Sequence, residues 1–333
     1  MLPVRSAIEL LQSPKKVFLT THHKPDGDAM GSMLGMALYL AKKGHRVTPV
    51  APSQPPYFLE WMPGMPMVID FEENPDAAKA ALEDAEVIIA LDFNDFSRTK
   101  LLEPLLAASS LPKIMLDHHM FPKDVWTAGW SIPSKSSTCE MVVDYMLEAG
   151  DEALLDIDIA ACLYTGLMTD TGSFRFSVTS PAVHRMAAKL LELGLDHSLV
   201  HERVYDSWGE NRMRFLGYVL IEKMEILRKY NTGLISLSAK DMHLFDVGSG
   251  DTEGLVNYPL SIININFATL ITERGNEVRL SFRSKGTFDV NYFARTYFEG
   301  GGHFNAAGGR SRLGLAETVA RFKELLATNY PGA

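Results

Sequence analysis

The chain has 333 residues, 46% hydrophobic and 22% charged, with a formal net charge of −9. Single cores stop growing near ~250–300 residues, so two domains are expected. The acidic balance excludes a protein that coats long or duplex nucleic acid through many Lys and Arg contacts, although a few arginines and metal ions in one cleft can still bind a small phosphate.

No run of roughly 18 uninterrupted apolar residues occurs. The opening MLPVRSAIELLQSPKK also lacks a small-residue cleavage site, so a cytoplasmic protein with no membrane association is expected. Cys139 and Cys162 are the only cysteines and sit in apolar helical surroundings, where they read as buried free thiols.

The first half alternates strand-like and helix-like segments. KVFLTT (Lys16 to Thr21) reads as a buried strand, and Ala29 to Lys43 as a helix stopped by Gly44. RVTPV, MVIDF, EVIIALD and KIMLD follow as short apolar runs, with helical stretches such as Ser97 to Ala108 between them. This rhythm predicts a doubly wound parallel sheet, in which ligands bind beyond the carboxyl ends of the strands. HHKPDGD after the first strand, LDFND after EVIIA and LDHH after KIM all fall there.

Helical sequence dominates from Ser137 to about Lys229, opening with the capping pattern SSTCE; within it, LYTGLMTDTGSF ends a helix near Asp170. From Gly233 strands return in GLISLSA, INFATLITE and NEVRLSFRS. A helix from Asp289 to Phe298, a glycine-rich turn and a last helix from Ala316 to Ala327 complete the chain. The expected organisation is α/β throughout. Residues 1–190 carry the doubly wound parallel sheet, 191–229 a helical connector, and 230–333 a smaller α/β domain with a mixed sheet.

Collected, the candidate ligands are His22, Asp26, Asp28, Asp92, His118 and Asp170, with Asp117 and His119 beside them. Carboxylates and imidazoles without thiolates suit Mn²⁺, with Mg²⁺, Co²⁺ or Fe²⁺ as competitors, better than a structural zinc. Two ions ~3.5–4 Å apart need a bridging carboxylate, and Asp92 is the natural bridge. A single His-Asp pair is more often a surface hydrogen bond or a helix cap; clusters repeated at matching strand and helix ends favour function. Asp117 reads as orienting a histidine from behind the ligands. Asp95 and Arg98 in NDFSR read at least as well as the cap and first turn of a helix as they do as catalytic residues, whereas His45, His184, His197, His201 and His243 read as structural or surface residues.

GGGHFNAAGG (Gly300 to Gly309) is either a flexible turn or a place where backbone N–H groups approach a phosphate, with His303 as an added donor. In EVRLSFRSKG, Val278, Leu280 and Phe282 alternate with Arg279, Ser281 and Arg283, so one face is core and the other can present Arg283.

The ordered set HHKPDGDAMGS, LDFNDFSR, LDHH, LMTDTGSFRF and GGGHFNAAGG resembles the DHH phosphoesterase family, in the branch with a C-terminal DHH-associated domain. Within it, the chain looks most like the stand-alone nano-RNase and 3′-phosphoadenosine-5′-phosphate (PAP) phosphatase enzymes. The resemblance spans residue 16 to about residue 312. It implies one metal held by His22, Asp26 and Asp92 and another by Asp28, Asp92, His118 and Asp170. It further implies a catalytic role for His119 with Asp92, and substrate binding by Arg283 and His303, to which Gly301, Gly302 and Ser284 are added. The implied activity is hydrolysis of very short RNA to mononucleotides and of PAP to AMP; a homodimer is compatible with it. The alternatives are a RecJ-type exonuclease, disfavoured without an added oligonucleotide-binding domain, and a cyclic- or linear-dinucleotide phosphodiesterase. A DHH pyrophosphatase would lack the glycine-histidine run, and a non-catalytic nucleotide sensor would not need His119.

Overall fold

Six short strands, Lys16–Thr20 (β1), Arg46–Ala51 (β2), Ile69–Asp70 (β3), Val87–Leu91 (β4), Lys113–Asp117 (β5) and Ala128–Ser131 (β6), form one sheet in the order β3-β2-β1-β4-β5-β6. Every pairing in it is parallel. The computed structural model describes residues 3–248, 250–275 and 277–329 and divides into two units, Met1–Ser207 and Trp208–Ala333.

β4 and β5 are buried along their whole length, the burial expected of continuous apolar runs covered on both faces. The covering helices of the first unit are Val4–Leu10 (α1), Gly27–Lys42 (α2), Pro75–Asp84 (α3), Glu103–Ala108 (α4), Thr138–Glu148 (α5), Ile157–Asp170 (α6), Pro181–Glu192 (α7) and His197–Tyr205 (α8). The doubly wound parallel sheet read from the sequence is thus present. β6 was not foreseen, because AGWS is short and contains a glycine. Gly129 is nonetheless required there, since it has φ 136° and a Cβ would lie 1.9 Å from the Met115 carbonyl oxygen. The single helix expected over Ser97 to Ala108 is two pieces. A 3₁₀ helix, Phe96–Leu102, precedes α4, and Lys100 takes φ 55° inside it.

α2 packs on α6 almost backbone to backbone because Gly27, Gly31 and Gly35 repeat every fourth residue on one helical face. A Cβ on Gly31 would stand 2.5 Å from the Cys162 carbonyl oxygen, and one on Gly35 2.6 Å from Leu163 Cδ2. Gly166 of α6 answers from the other side, where a Cβ would stand 2.2 Å from Cys139 Sγ and 2.9 Å from Asp28 Cα.

The second unit has a mixed sheet in the order β11-β12-β10-β9-β8-β7, built from Met224–Leu227 (β7), Thr232–Leu237 (β8), Phe267–Arg274 (β9), Glu277–Ser284 (β10), Gly301–His303 (β11) and Ala306–Ser311 (β12). Its helices are Glu210–Tyr218 (α9), Ala239–Leu244 (α10), Val290–Tyr297 (α11) and Leu315–Asn329 (α12). Phe267, Phe282, Phe293, Phe298 and Phe322 form the centre of its core. Of the stretch 191–229, α8 lies in the first unit and α9 and β7 in the second. Among the described residues no helix is long and apolar enough to cross a membrane.

Candidate active site

In the order β3-β2-β1-β4-β5-β6 the chain leaves β1 toward one edge of the sheet and β4 toward the other. The gap beyond their carboxyl ends is the switch point at which such sheets bind ligands. His22 and Asp26 follow β1, Asp92 is the residue after β4, His118 and His119 follow β5, and Asp170 ends α6.

Asp26 caps α2, its Oδ1 accepting the Asp28 and Ala29 N–H groups at 3.1 and 3.0 Å, while Oδ2 remains 3.9 Å from His22 Nε2. Asp92 has φ 65°, a left-handed conformation uncommon outside glycine and enriched for Asp and Asn. Its two oxygens face different imidazoles, with Oδ2 3.3 Å from His22 Nε2 and Oδ1 3.4 Å from His118 Nε2. His118 Nε2 also lies 3.3 Å from Asp170 Oδ2 and 3.7 Å from Asp28 Oδ2.

The Nδ1 atoms decide what these contacts mean. His22 Nδ1 lies 3.1 Å from the His23 carbonyl oxygen and His118 Nδ1 3.2 Å from that of Lys135. A carbonyl only accepts, so each Nδ1 carries the hydrogen and each Nε2 turns toward carboxylate oxygens. Such a contact is repulsive unless a proton or a metal cation lies between the two. Histidine ligands oriented by a backbone carbonyl are the usual support of a metal centre.

The ionisation pattern has the same origin. Burial raises Asp28 well above the usual carboxylate range, reinforced by the charges of Asp92 and Asp170. Burial would raise Asp92 too, but its bonds from His118 and His22 outweigh it and hold the group well below that range. Burial would lower His118, whereas Asp170 and Asp92 raise it well above the ordinary imidazole value. Four carboxylates crowd around two imidazoles, and this oxygen-rich donor set fits divalent cations. His22, Asp26 and Asp92 converge as one potential ligand group, and Asp28, Asp92 and His118 as another.

Asp117 engages His119 twice, Oδ2 accepting from its backbone N–H at 2.9 Å and Oδ1 lying 2.8 Å from its Nδ1. The loop carrying this pair is pinned by Asn94, whose Nδ2 donates to the His119 and Met120 carbonyls at 2.9 and 3.2 Å. Asp28 is wholly buried and accepts from the Thr138 and Cys139 N–H groups at the start of α5, at 2.6 and 2.8 Å. That helix terminus stabilises a buried carboxylate.

Thr138 was missed from the sequence. Its Oγ1 donates to Asp92 Oδ1 at 3.0 Å, yet SSTCE signalled only a helix start. Thr138→Val keeps the shape and removes this bond. Loss of such supporting bonds lowers metal affinity or activity about 10–100-fold. A drop of that size with an unchanged melting temperature is the expected result, to be measured by Mn²⁺ titration and turnover.

In the second unit, β10 follows the alternation read from its sequence, Val278, Leu280, Phe282 and Ser284 being buried between half-exposed neighbours. The glycine-rich run is a hairpin, not a turn. Gly300, Gly302 and Gly309 are needed there for close backbone packing, a Cβ on Gly302 falling 2.5 Å from the Ala306 carbonyl oxygen. Registers Arg283↔Ala306 and His303↔Ala306 place Arg283 and His303 in one row across three strands. The next row on that face, Gly301, Gly308 and Ser281, carries almost no side chain. The Gly302 N–H is taken by Asn291 Oδ1 at 3.0 Å. Ser284 is buried, its hydroxyl donating to the Phe288 carbonyl at 2.7 Å and accepting from Asn305 at 2.8 Å.

Comparison with known sequences matches residues 16–167 to the DHH family, N-terminal domain, and residues 240–328 to the DHHA1 domain. The crystal structure of an exopolyphosphatase-related protein from Bacteroides fragilis is 35% identical, covers 98% of this chain and 96% of its own, and superposes with a TM-score of 0.92. The chain belongs to the DHH phosphoesterase family.

The bifunctional oligoribonuclease and PAP phosphatase NrnA of Thermus thermophilus is 29% identical over 92% of this chain and 86% of its own length. RecJ of Thermus thermophilus, solved in complex with Mn²⁺, shares the fold at a TM-score of 0.52 and 13% identity, with 99% of this chain and 55% of RecJ covered. The DHH match contains Asp117, His118 and His119 at the end of β5, and the DHHA1 match contains Arg283 and His303.

Proposed function

We propose that this DHH phosphoesterase hydrolyses very short RNA to mononucleotides and PAP to AMP at a two-metal centre in its first unit. The observation that carries the metal centre is the pair of buried imidazoles, each with Nδ1 on a backbone carbonyl and Nε2 against the shared carboxylate of Asp92. His22, Asp26 and Asp92 would hold one ion; Asp28, Asp92, His118 and Asp170 the other. The oxygen-rich donor set favours Mn²⁺, with Mg²⁺, Co²⁺ and Fe²⁺ as competitors, and RecJ of the same fold binds Mn²⁺. Bound divalent ions supply Lewis-acid polarisation of phosphoryl oxygens and acidify water.

The chain's own part begins with His119. Its Nδ1–H donates to Asp117, which orients the ring so that Nε2 hands a proton to the leaving oxygen as the P–O bond breaks and water adds to phosphorus. The oligoribonuclease and PAP phosphatase named among its relatives supports short RNA and PAP as substrates. Two buried free thiols fit a cytoplasmic setting. Arg283 and His303, with the bare glycine row beside them, are proposed to anchor the rest of the substrate.

Incubation with Mn²⁺ and a panel of dinucleotide, five-residue RNA, PAP, cyclic di-AMP, pyrophosphate, inorganic polyphosphate and long single-stranded DNA tests this. Fastest turnover of the first three is expected; preference for any of the others would overturn the substrate assignment. Polyphosphate belongs in the panel because of the description of the Bacteroides relative. Arg283→Ala should cost short RNA about ten- to a hundredfold in kcat/KM, the size of a lost charge-assisted phosphate contact. A small activated phosphodiester, too short to use the anchor, should be hydrolysed as before. Equal losses on both would assign Arg283 to the fold instead.

A further inference from the structure

The sequence left Arg98 open between a helical first turn and a catalytic role, and the metal centre described above leaves it unused. Its backbone is tied to the site, since the His23 N–H, next to ligand candidate His22, donates to the Arg98 carbonyl at 2.8 Å. This bond holds Arg98 close beside the His22 end of the candidate metal centre. The side chain is half-buried, yet among the described residues no carboxylate or carbonyl takes its guanidinium. The nearest acid in sequence, Asp95, spends its carboxylate on the Ser97 N–H at 3.0 Å and on Lys123 at 3.8 Å.

An unpaired, partly desolvated cation beside a cation-binding centre is unfavourable by itself. It becomes favourable once an anion lies between it and the metals, and in a phosphoesterase that anion is the phosphate under attack. A guanidinium matches this task because its planar fork can bind two non-bridging oxygens together.

We propose that Arg98 is a catalytic residue that grips the scissile phosphate, donating hydrogen bonds to its non-bridging oxygens and stabilising the charge they gain in the transition state. The inference rests on the phosphoesterase function proposed above. It is tested on the full Mn²⁺-loaded chain with Arg98→Ala and Arg98→Lys, using calorimetric titration with inorganic phosphate beside dinucleotide kinetics. Phosphate affinity should fall about 10–100-fold in Arg98→Ala and less in Arg98→Lys, with Mn²⁺ stoichiometry and melting temperature unchanged. kcat/KM should fall in parallel, and added guanidinium ion should restore part of the turnover in Arg98→Ala alone. Phosphate affinity within about twofold of the parent would overturn the proposal. Loss of Mn²⁺ from the variant would overturn it too, making Arg98 a support of the metal centre. A parent that binds phosphate but does not turn over dinucleotide would overturn the proposed substrate, and the phosphate titration would still decide Arg98.

Discussion

Replacing Asp92 with asparagine is expected to reduce turnover by at least 10²–10³-fold, the order seen when one preorganised electrostatic group is removed from an active site. Asparagine tolerates the left-handed backbone that Asp92 adopts at φ 65° and keeps an oxygen for the Thr138 hydroxyl, so the fold should survive. What is lost is the charge that faces both His22 and His118. Two cations sharing that carboxylate would then repel each other without compensation, and bound Mn²⁺ should fall from two equivalents toward one or none. Calorimetric Mn²⁺ titration and dinucleotide kinetics read the two effects separately. Turnover close to the parent's in excess Mn²⁺ would refute the bridging role. His119 offers the contrast: its substitution by alanine should spare Mn²⁺ stoichiometry while lowering kcat, because its ring is committed to Asp117.

A methyl group at position 166 should be almost as damaging, although Gly166 carries no chemistry. The added Cβ would meet Cys139 Sγ at 2.2 Å, Asp28 Oδ1 at 2.7 Å and Asp28 Cα at 2.9 Å, and the last of these cannot rotate away. Overpacking of this kind costs about 1–3 kcal/mol, or roughly 2–10 °C in melting temperature for a unit of this size. Turnover should fall further than stability, by about 10²-fold, since an ångström of displacement in a positioned group can cost that much. Combining Gly166→Ala with Cys139→Ala removes the sulfur contact but not those to Asp28. The double variant should therefore regain much of the melting temperature and little of the activity. Full activity in Gly166→Ala would show that Asp28 does not depend on this packing.

Local chain preferences account for the strand-helix rhythm of the first unit, the alternating face of β10, and the placing of His22, Asp92 and His118 just past strand ends. These are local facts. A run of apolar residues or a two-residue period is a preference of the chain for its own conformation and for burial, and it can be read without knowing the partners. Long-range packing set the rest. Strand order brought β1 beside β4 and so joined residues seventy positions apart. Glycines in α2 and α6 removed the side chains that would have kept Asp28 from its place, and the start of α5 supplied the N–H groups and the Thr138 hydroxyl that hold Asp28 and Asp92. The glycine-histidine run became a hairpin only because Ala306–Ser311 had β10 to pair with. Apart from the four-residue spacing of Gly27, Gly31 and Gly35, none of these contacts leaves a periodic trace in the sequence. Each depends on which distant surface a residue meets, and that choice is made by the packing of the whole unit.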